Sequence, residues 1–264
     1  IKRGNQVLLI AFSDINEYIE LTSAIKIKTV KASIKLSFFG KNQINIQELQ
    51  NTIDEFNPDV IHTHLYEAEM IVYEVKTSAK LVSHIHSNRK ELVKRNLLQL
   101  TNKKKVTHWF ERKHYLKNFQ KLDVKLISIS KDCHQYAIKE LGLSSKQVHY
   151  IVNCINYELF KGSVKTLNNS KIKLINVGRF VPKKAQEFLI DIAVILKQKG
   201  IDFNLTFLGD GAEKSKVKSY AKLKGVDSLI YFKGVVTKPE NYLKESTLYV
   251  HSAKLEPLGL VLIE

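Results

Sequence analysis

Short runs of β-branched and other apolar residues alternate along the chain with stretches whose apolar positions recur every three or four residues. That alternation belongs to a parallel α/β protein, in which crossover helices cover the sheet. Strands are expected at 6–12, 33–38, 59–63, 80–85, 125–130 and 147–152, then at 172–177, 204–208, 229–232 and 248–251. Helices fall between most of them. The clearest spans 184–199, where Phe188, Leu189, Ile192, Ile195 and Leu196 form one apolar stripe and Gly200 stops the helix. The strand series restarts after a polar stretch, 161–170, that is too poor in apolar residues for a core element. The pattern therefore divides into a first unit at 1–162, a linker at 163–170 and a second unit at 171–264. In two Rossmann-like units of this kind, ligands collect at the carboxyl ends of the strands, and facing units make a cleft. Polar residues at the expected strand ends are His62, His64, His86, Ser130, Asn153, Arg179, Asp210 and Ser252.

With 264 residues and 44% hydrophobic content, the chain is large enough for two domains. No apolar run approaches the roughly 20 residues of a membrane span, so a cytoplasmic protein, soluble or peripheral at the inner membrane face, is expected. The chain opens on Ile1 and its only Met is Met70, which reads as a segment cut from a longer protein. Cys133 and Cys154 lack metal spacing and are too few for a disulfide scaffold, which fits a reducing compartment.

The formal net charge is +16, yet only five of the 42 basic residues are Arg, the usual reader of bases and phosphates. An AT-rich coding sequence yields the same excess of Lys, Ile and Asn, and nucleic acid is not an expected partner. Residues 89–125 hold twelve basic side chains, Arg89, Lys90 and Lys103 to Lys105 among them, against Glu91, Glu111 and Asp123. Leu92, Leu97, Leu98, Leu100, Trp109, Phe110 and Tyr115 are interleaved with them. Two readings stay open: helices lying on an anionic lipid surface, or a solvated face over the first unit's core.

The chain closes on Glu256-Pro257-Leu258-Gly259-Leu260-Val261-Leu262-Ile263-Glu264. Two carboxylates bracket a Pro-x-Gly turn that opens a helix. Leu260, Val261 and Leu262 would offer free backbone N–H groups to an anionic diphosphate, with Gly259 allowing close approach. Glu256 could reach a sugar hydroxyl, and Glu264 could accept from ribose hydroxyls.

Several ordered segments together resemble the retaining glycosyltransferases of the GT-B fold, family 4. They are Asn176-Val177-Gly178-Arg179 with Lys184 downstream, Leu208-Gly209-Asp210-Gly211, Phe232-Lys233-Gly234-Val235, and Ser252 with the Glu-x7-Glu block from Glu256 to Glu264. In the first unit, Pro58-Asp59-Val60-Ile61-His62-Thr63-His64 and Ile151-Val152-Asn153-Cys154-Ile155-Asn156 resemble segments that end two of the family's strands. Departures are Ala185 for a common Gly, Cys154 for Gly, Asn156 for Asp and Thr247 where Asp is common. The family's first strand with its Gly-rich loop would precede Ile1, and its C-terminal elements would follow Glu264.

The resemblance implies a nucleotide-sugar donor, a UDP- or GDP-sugar, bound in the second unit, and transfer to the hydroxyl of a carbohydrate or lipid-linked sugar. Arg179 and Lys184 would neutralise the diphosphate as it leaves, Glu256 would hold the transferred sugar, Glu264 the ribose, and Asp210 would sit in the donor-side turn. His86 resembles the family's first-domain His that faces the sugar. No cofactor and no metal are expected: there is no Asp-x-Asp motif, and His62 and His64 lack a third ligand at motif spacing.

Overall fold

The computed structural model describes residues 4–14, 22–38, 40–89, 91–161, 171–256 and 258–264. The expected linker at 163–170 lies outside them, as does Lys90. The chain separates into two compact units, Ile1–Val152 and Asn153–Glu264.

In the first unit β1 (Leu8–Ala11) and β2 (Lys26–Thr29) pair in parallel, and β3 (Ser33–Lys35) pairs antiparallel with β4 (Gln43–Asn45). Helix α1 (Gln47–Phe56) leads into a four-stranded parallel sheet, ordered β5 (Val60–His64), β6 (Lys80–Ile85), β7 (Lys125–Ser128) and β8 (Val148–Tyr150). The helices threaded through it are α2 (Tyr66–Val72), α3 (Lys103–Lys121) and α4 (Lys131–Gln135). Asn102 caps α3, its side chain accepting from Lys105 N at 3.0 Å. Tyr115 and Phe119 are the buried residues of that helix.

Successive strand side chains point to opposite faces, so β5 and β6 sort their polar residues by parity. Thr63 and Ser83 turn inward and bond at 2.9 Å, and Tyr73 OH joins Ser83 Oγ at 2.9 Å. Thr63 is flanked by His62 and His64, and Ser83 by Val82 and His84.

The basic stretch is not uniformly a surface. Arg89 is buried, its guanidinium forked onto the fully buried Glu69 and donating to Tyr115 OH at 3.0 Å. Arg112 donates to Leu92 O at 2.8 Å and Glu140 O at 2.9 Å. Both therefore tie backbone and core together, which corrects the reading that grouped them with the lipid-facing or solvated cations. Leu97 and Leu98 remain exposed at 76% and 90%.

In the second unit α5 (Tyr157–Phe160) precedes a parallel sheet of β9 (Ile172–Val177), β10 (Phe203–Leu208), β11 (Ile230–Gly234) and β12 (Leu248–Tyr249), in the order β11-β10-β9-β12. Its helices are α6 (Glu187–Gln198), α7 (Lys214–Leu223) and α8 (Pro239–Glu245). The core between sheet and helices holds Leu174, Phe180, Leu189, Ile190, Phe207 and Val217.

Two details differ from the expected 184–199 helix. Pro182–Lys184 forms a 3-10 turn, Ala185 takes a left-handed conformation at φ 49°, and the α-helix begins only at Glu187. Its buried face is Leu189, Ile190 and Ala193, while Phe188 and Ile195 lie outside. The helix is apolar around most of its circumference, and counting large side chains overlooked Ala193, which lets it pack closely. Among the described residues no helix is long and apolar enough to cross a membrane.

Candidate active site

The second unit gathers its candidate residues at the carboxyl ends of β9, β10 and β12. The loop after β9 is stitched to the loop after β10 by Gly178 N donating to Leu208 O at 2.9 Å and Phe180 N to Asp210 O at 2.8 Å. These approaches require glycine. A Cβ on Gly209, at φ 124°, would lie 2.2 Å from Gly178 O, and one on Gly211, at φ 148°, 2.4 Å from Phe180 O. Phe180, fully buried against Phe207 and Phe232, anchors the loop from below. The preceding Arg179 is exposed, and its guanidinium has no hydrogen bond or ion pair among the described residues.

The end of β12 is drawn to the same place. Asn176 Nδ2 donates to Val250 O at 2.7 Å, Ser252 Oγ to Lys184 O at 2.8 Å, and Lys254 N to Lys183 O at 2.8 Å. The Lys184 stem lies where a Gly178 Cβ would be 3.7 Å from its Cε. Its ammonium forms an ion pair with Glu256 that is mostly shielded from solvent. His251 Nε2 lies 3.6 Å from the same carboxylate, and Tyr249 OH bonds His251 Nδ1 at 2.9 Å. Burial and then the Glu256 and Glu264 carboxylates push the Tyr249 phenol up to about 12. Burial also raises the Glu264 carboxyl above its ordinary value. Lys184, Glu256 and Glu264 therefore share one neighbourhood around Tyr249 and His251, neither of which the sequence reading singled out.

The glycine turn departs from expectation. Gly259 is left-handed at φ 73°, but Leu260–Leu262 is a single 3-10 turn and not the start of an α-helix. Leu262 N donates to Gly259 O at 2.8 Å, so its N–H is taken up inside the turn. Leu260 and Val261 N–H have no such partner among the described residues. A 3-10 turn closes i to i+3 and therefore withdraws the third amide that an α-helix would leave free. Asp210 serves its own turn: its carboxylate accepts from Lys214 Nζ at 2.6 Å and Gly211 N at 2.7 Å, which hold it below its ordinary value.

The first unit brings His86 into a cluster. Register pairs His64 with His84 across β5 and β6, and parity puts His62, His64, His84 and His86 on one face. Neighbouring rings lie 4.4 to 5.4 Å apart, and His64 Nδ1 meets His86 Nε2 at 2.9 Å. Burial, seconded by neighbouring imidazoles, depresses His62, His84 and His86, and burial alone depresses His64; His84 falls to about 4. All four are thus neutral at pH 7. His84 was missed because it sits inside its strand; the signal was a second His-x-His pair, at 84 and 86, one strand after the pair at 62 and 64.

Comparison with known proteins agrees with this architecture. Residues 1–159, more than half of the chain, match the profile of Glycosyltransferase Family 4, and residues 161–264 match that of Glycosyl transferases group 1. The chain belongs to glycosyltransferase family 4. It is 26% identical over 214 residues to the capsular polysaccharide biosynthesis glycosyltransferase CapH of Staphylococcus aureus, covering 79% of this chain and 57% of CapH. It thus spans little more than half the length of that curated relative. Among solved structures it resembles Anabaena HepE in complex with UDP-glucose, with a TM-score of 0.69 and 15% identity over 95% of this chain and 67% of that one. WaaG, a glycosyltransferase involved in lipopolysaccharide biosynthesis, gives a TM-score of 0.67 and 15% identity over 99% and 70%. The fold is GT-B.

Proposed function

We propose that the protein transfers a glycosyl group from a nucleotide-sugar, a UDP- or GDP-sugar, to an acceptor hydroxyl with retention at the anomeric carbon. The observation that carries this reading is the Lys184–Glu256 pair together with the Arg179 guanidinium, which has no partner among the described residues, at the carboxyl ends of a parallel sheet. A donor diphosphate takes Lys184 away from Glu256 and adds Arg179 and the Leu260 and Val261 amides. Charge-assisted hydrogen bonds of this kind contribute roughly 1.5–3 kcal/mol each. The exchange leaves the Glu256 carboxylate for the transferred sugar, whose anomeric carbon gains positive character as the diphosphate departs. Glu264 binds the ribose. The leaving phosphate assists deprotonation of the attacking hydroxyl on the same face. Asp210 acts by shaping the donor-side turn, and the role of His86 rests on the family resemblance alone.

UDP-glucose in HepE and the polysaccharide named for CapH support the donor class and a surface-polysaccharide or lipid-linked sugar acceptor. Exposed Leu97 and Leu98 before the Lys103 to Lys105 run support contact with an anionic bilayer at the cytoplasmic face. The test is incubation of the full-length protein with UDP- and GDP-sugars and a carbohydrate acceptor, followed by NMR of the new anomeric centre. Net retention is expected. Inversion overturns the stereochemistry; donor turnover without acceptor points to an epimerase, phosphate dependence to a phosphorylase, and binding without turnover to a non-catalytic subunit.

A further inference from the structure

We infer that His62, His64 and His84 form a binding site for one divalent transition-metal ion of the zinc class, with His86 positioning His64 from behind. This goes beyond the glycosyl-transfer reading, which assigns no metal to the chain. One nitrogen from each of the three imidazoles lies within 4.8 Å of the other two. Tetrahedral zinc with bonds of 2.0–2.1 Å needs ligand atoms about 3.3 Å apart, a gap that small side-chain rotations close. The two strands supply the framework without further folding, since His64 and His84 are register partners and His62 lies one pleat away on the same face.

A second observation is independent of the spacing. Both nitrogens of His84 are buried from solvent and have no hydrogen-bond partner among the described residues. A neutral imidazole carries one N–H and one lone pair, and burying them unmatched is costly. A metal ion at the lone pair removes half of that cost. The three rings lie in contact on one face of the sheet, so that a single divalent cation can bind all three lone pairs at once.

The contact between His64 Nδ1 and His86 Nε2 fits a metal shell's outer layer. With the proton on His64 Nδ1 and donated to His86, His64 Nε2 keeps its lone pair for the ion. His62 and His64 also line a 520 Å³ cavity with residues of β1 and α1, which leaves room for a water or an oxygen ligand in the fourth position. Imidazoles without carboxylates or thiolates favour Zn²⁺, Co²⁺, Ni²⁺ or Cu²⁺ over Mg²⁺ and Ca²⁺.

The experiment uses tag-free full-length protein stripped with chelator and titrated with Zn²⁺ and Co²⁺, in the absence of any sugar, so that it succeeds or fails independently of transferase activity. One equivalent is expected to bind at micromolar concentration or tighter, with Co²⁺ giving the intense visible bands of a four-coordinate site. Mg²⁺ should not compete. His64→Ala and His62→Gln should each weaken Zn²⁺ at least 100-fold, and His86→Ala about 10- to 100-fold without altering the stoichiometry. Absence of saturable Zn²⁺ binding below millimolar concentration overturns the site, as does binding that is unchanged in His64→Ala and His62→Gln.

Discussion

The Lys184 ammonium and the Glu256 carboxylate, 72 residues apart in the chain, are bonded to each other at the edge of the second unit's sheet. Each is therefore the other's counter-ion, and the proposed donor diphosphate would have to separate them. Lys184→Ala should lower turnover of the full-length enzyme roughly 10²–10³-fold, by analogy with loss of an oxyanion donor. Lys184→Gln should be nearly as harmful, because the charge is what matters. Steady-state kinetics on both variants checks this, and a wild-type rate in Lys184→Ala removes the residue from the mechanism.

The two glutamates should separate. Glu256→Gln keeps the shape but removes the charge near the polarised sugar and should reduce kcat more than nucleotide affinity. Glu264→Gln should do the reverse, since an amide presents one acceptor oxygen where a carboxylate serves both ribose hydroxyls. Losing a charged hydrogen bond of roughly 1.5–3 kcal/mol weakens nucleotide Kd by about 10- to 100-fold. Calorimetric Kd beside kcat for both variants decides it; equal effects on both quantities in both variants would contradict the division.

Ala185 stands where the family commonly has Gly, and its left-handed backbone supplies a physical consequence. A Cβ in that region costs about 1–2 kcal/mol, partly offset by the greater unfolded-state freedom of Gly. Ala185→Gly should stabilise the protein by about 0.5–1 kcal/mol, read as a higher urea midpoint at unchanged slope. Ala185→Val should destabilise it. A lower midpoint for the Gly variant would show that the turn is relaxed with Ala in place.

Metal-free protein should lose stability as pH falls from about 6.5 toward 4. His84 binds its proton in the unfolded chain near 6.5 but in the folded one only near 4. The unfolded state therefore holds more protons throughout that window, and stability rises with pH across it. His62, His64 and His86 are depressed in the same direction and add to the slope. Urea midpoints between about pH 7 and pH 5 should fall less steeply in His84→Leu than in wild type. Parallel slopes would show that the cluster carries none of the dependence.

Vesicle binding should grow with the fraction of anionic lipid and weaken with salt. Replacing Lys103, Lys104 and Lys105 together by Gln should cut it strongly, since each cation near such a surface contributes on the order of 1 kcal/mol. Co-sedimentation at two salt concentrations measures it, and equal binding to neutral vesicles would dispose of the electrostatic part.

All ten strands expected from apolar runs have a counterpart, and nine of them lie in parallel sheets, whose covered strands read as short unbroken hydrophobic stretches. Those that escaped notice, Lys26–Thr29 and Gln43–Asn45, are brief and mostly polar, with sheet pairing as their only signature. The antiparallel pairing of Ser33–Lys35 with Gln43–Asn45 was hidden for the same reason. Local motifs such as Gly209-Asp210-Gly211 were legible since the close approach is written in the glycines themselves. The Lys184–Glu256 bond and the four-histidine face were not. Each depends on which strands become neighbours, and a linear pattern carries residue types and spacings but not adjacency.

The buried Arg89–Glu69 pair has a consequence for the histidine three residues before it. Arg89's positive charge helps depress the His86 imidazole, and it is sealed beneath the surface. Mobile ions that dissolve contacts on the outside of a protein screen such a buried pair much less. His86 accordingly sits beside a charge that Glu69 already answers, and the residual pull, smaller than that of burial and of His64, changes little between brine and dilute buffer.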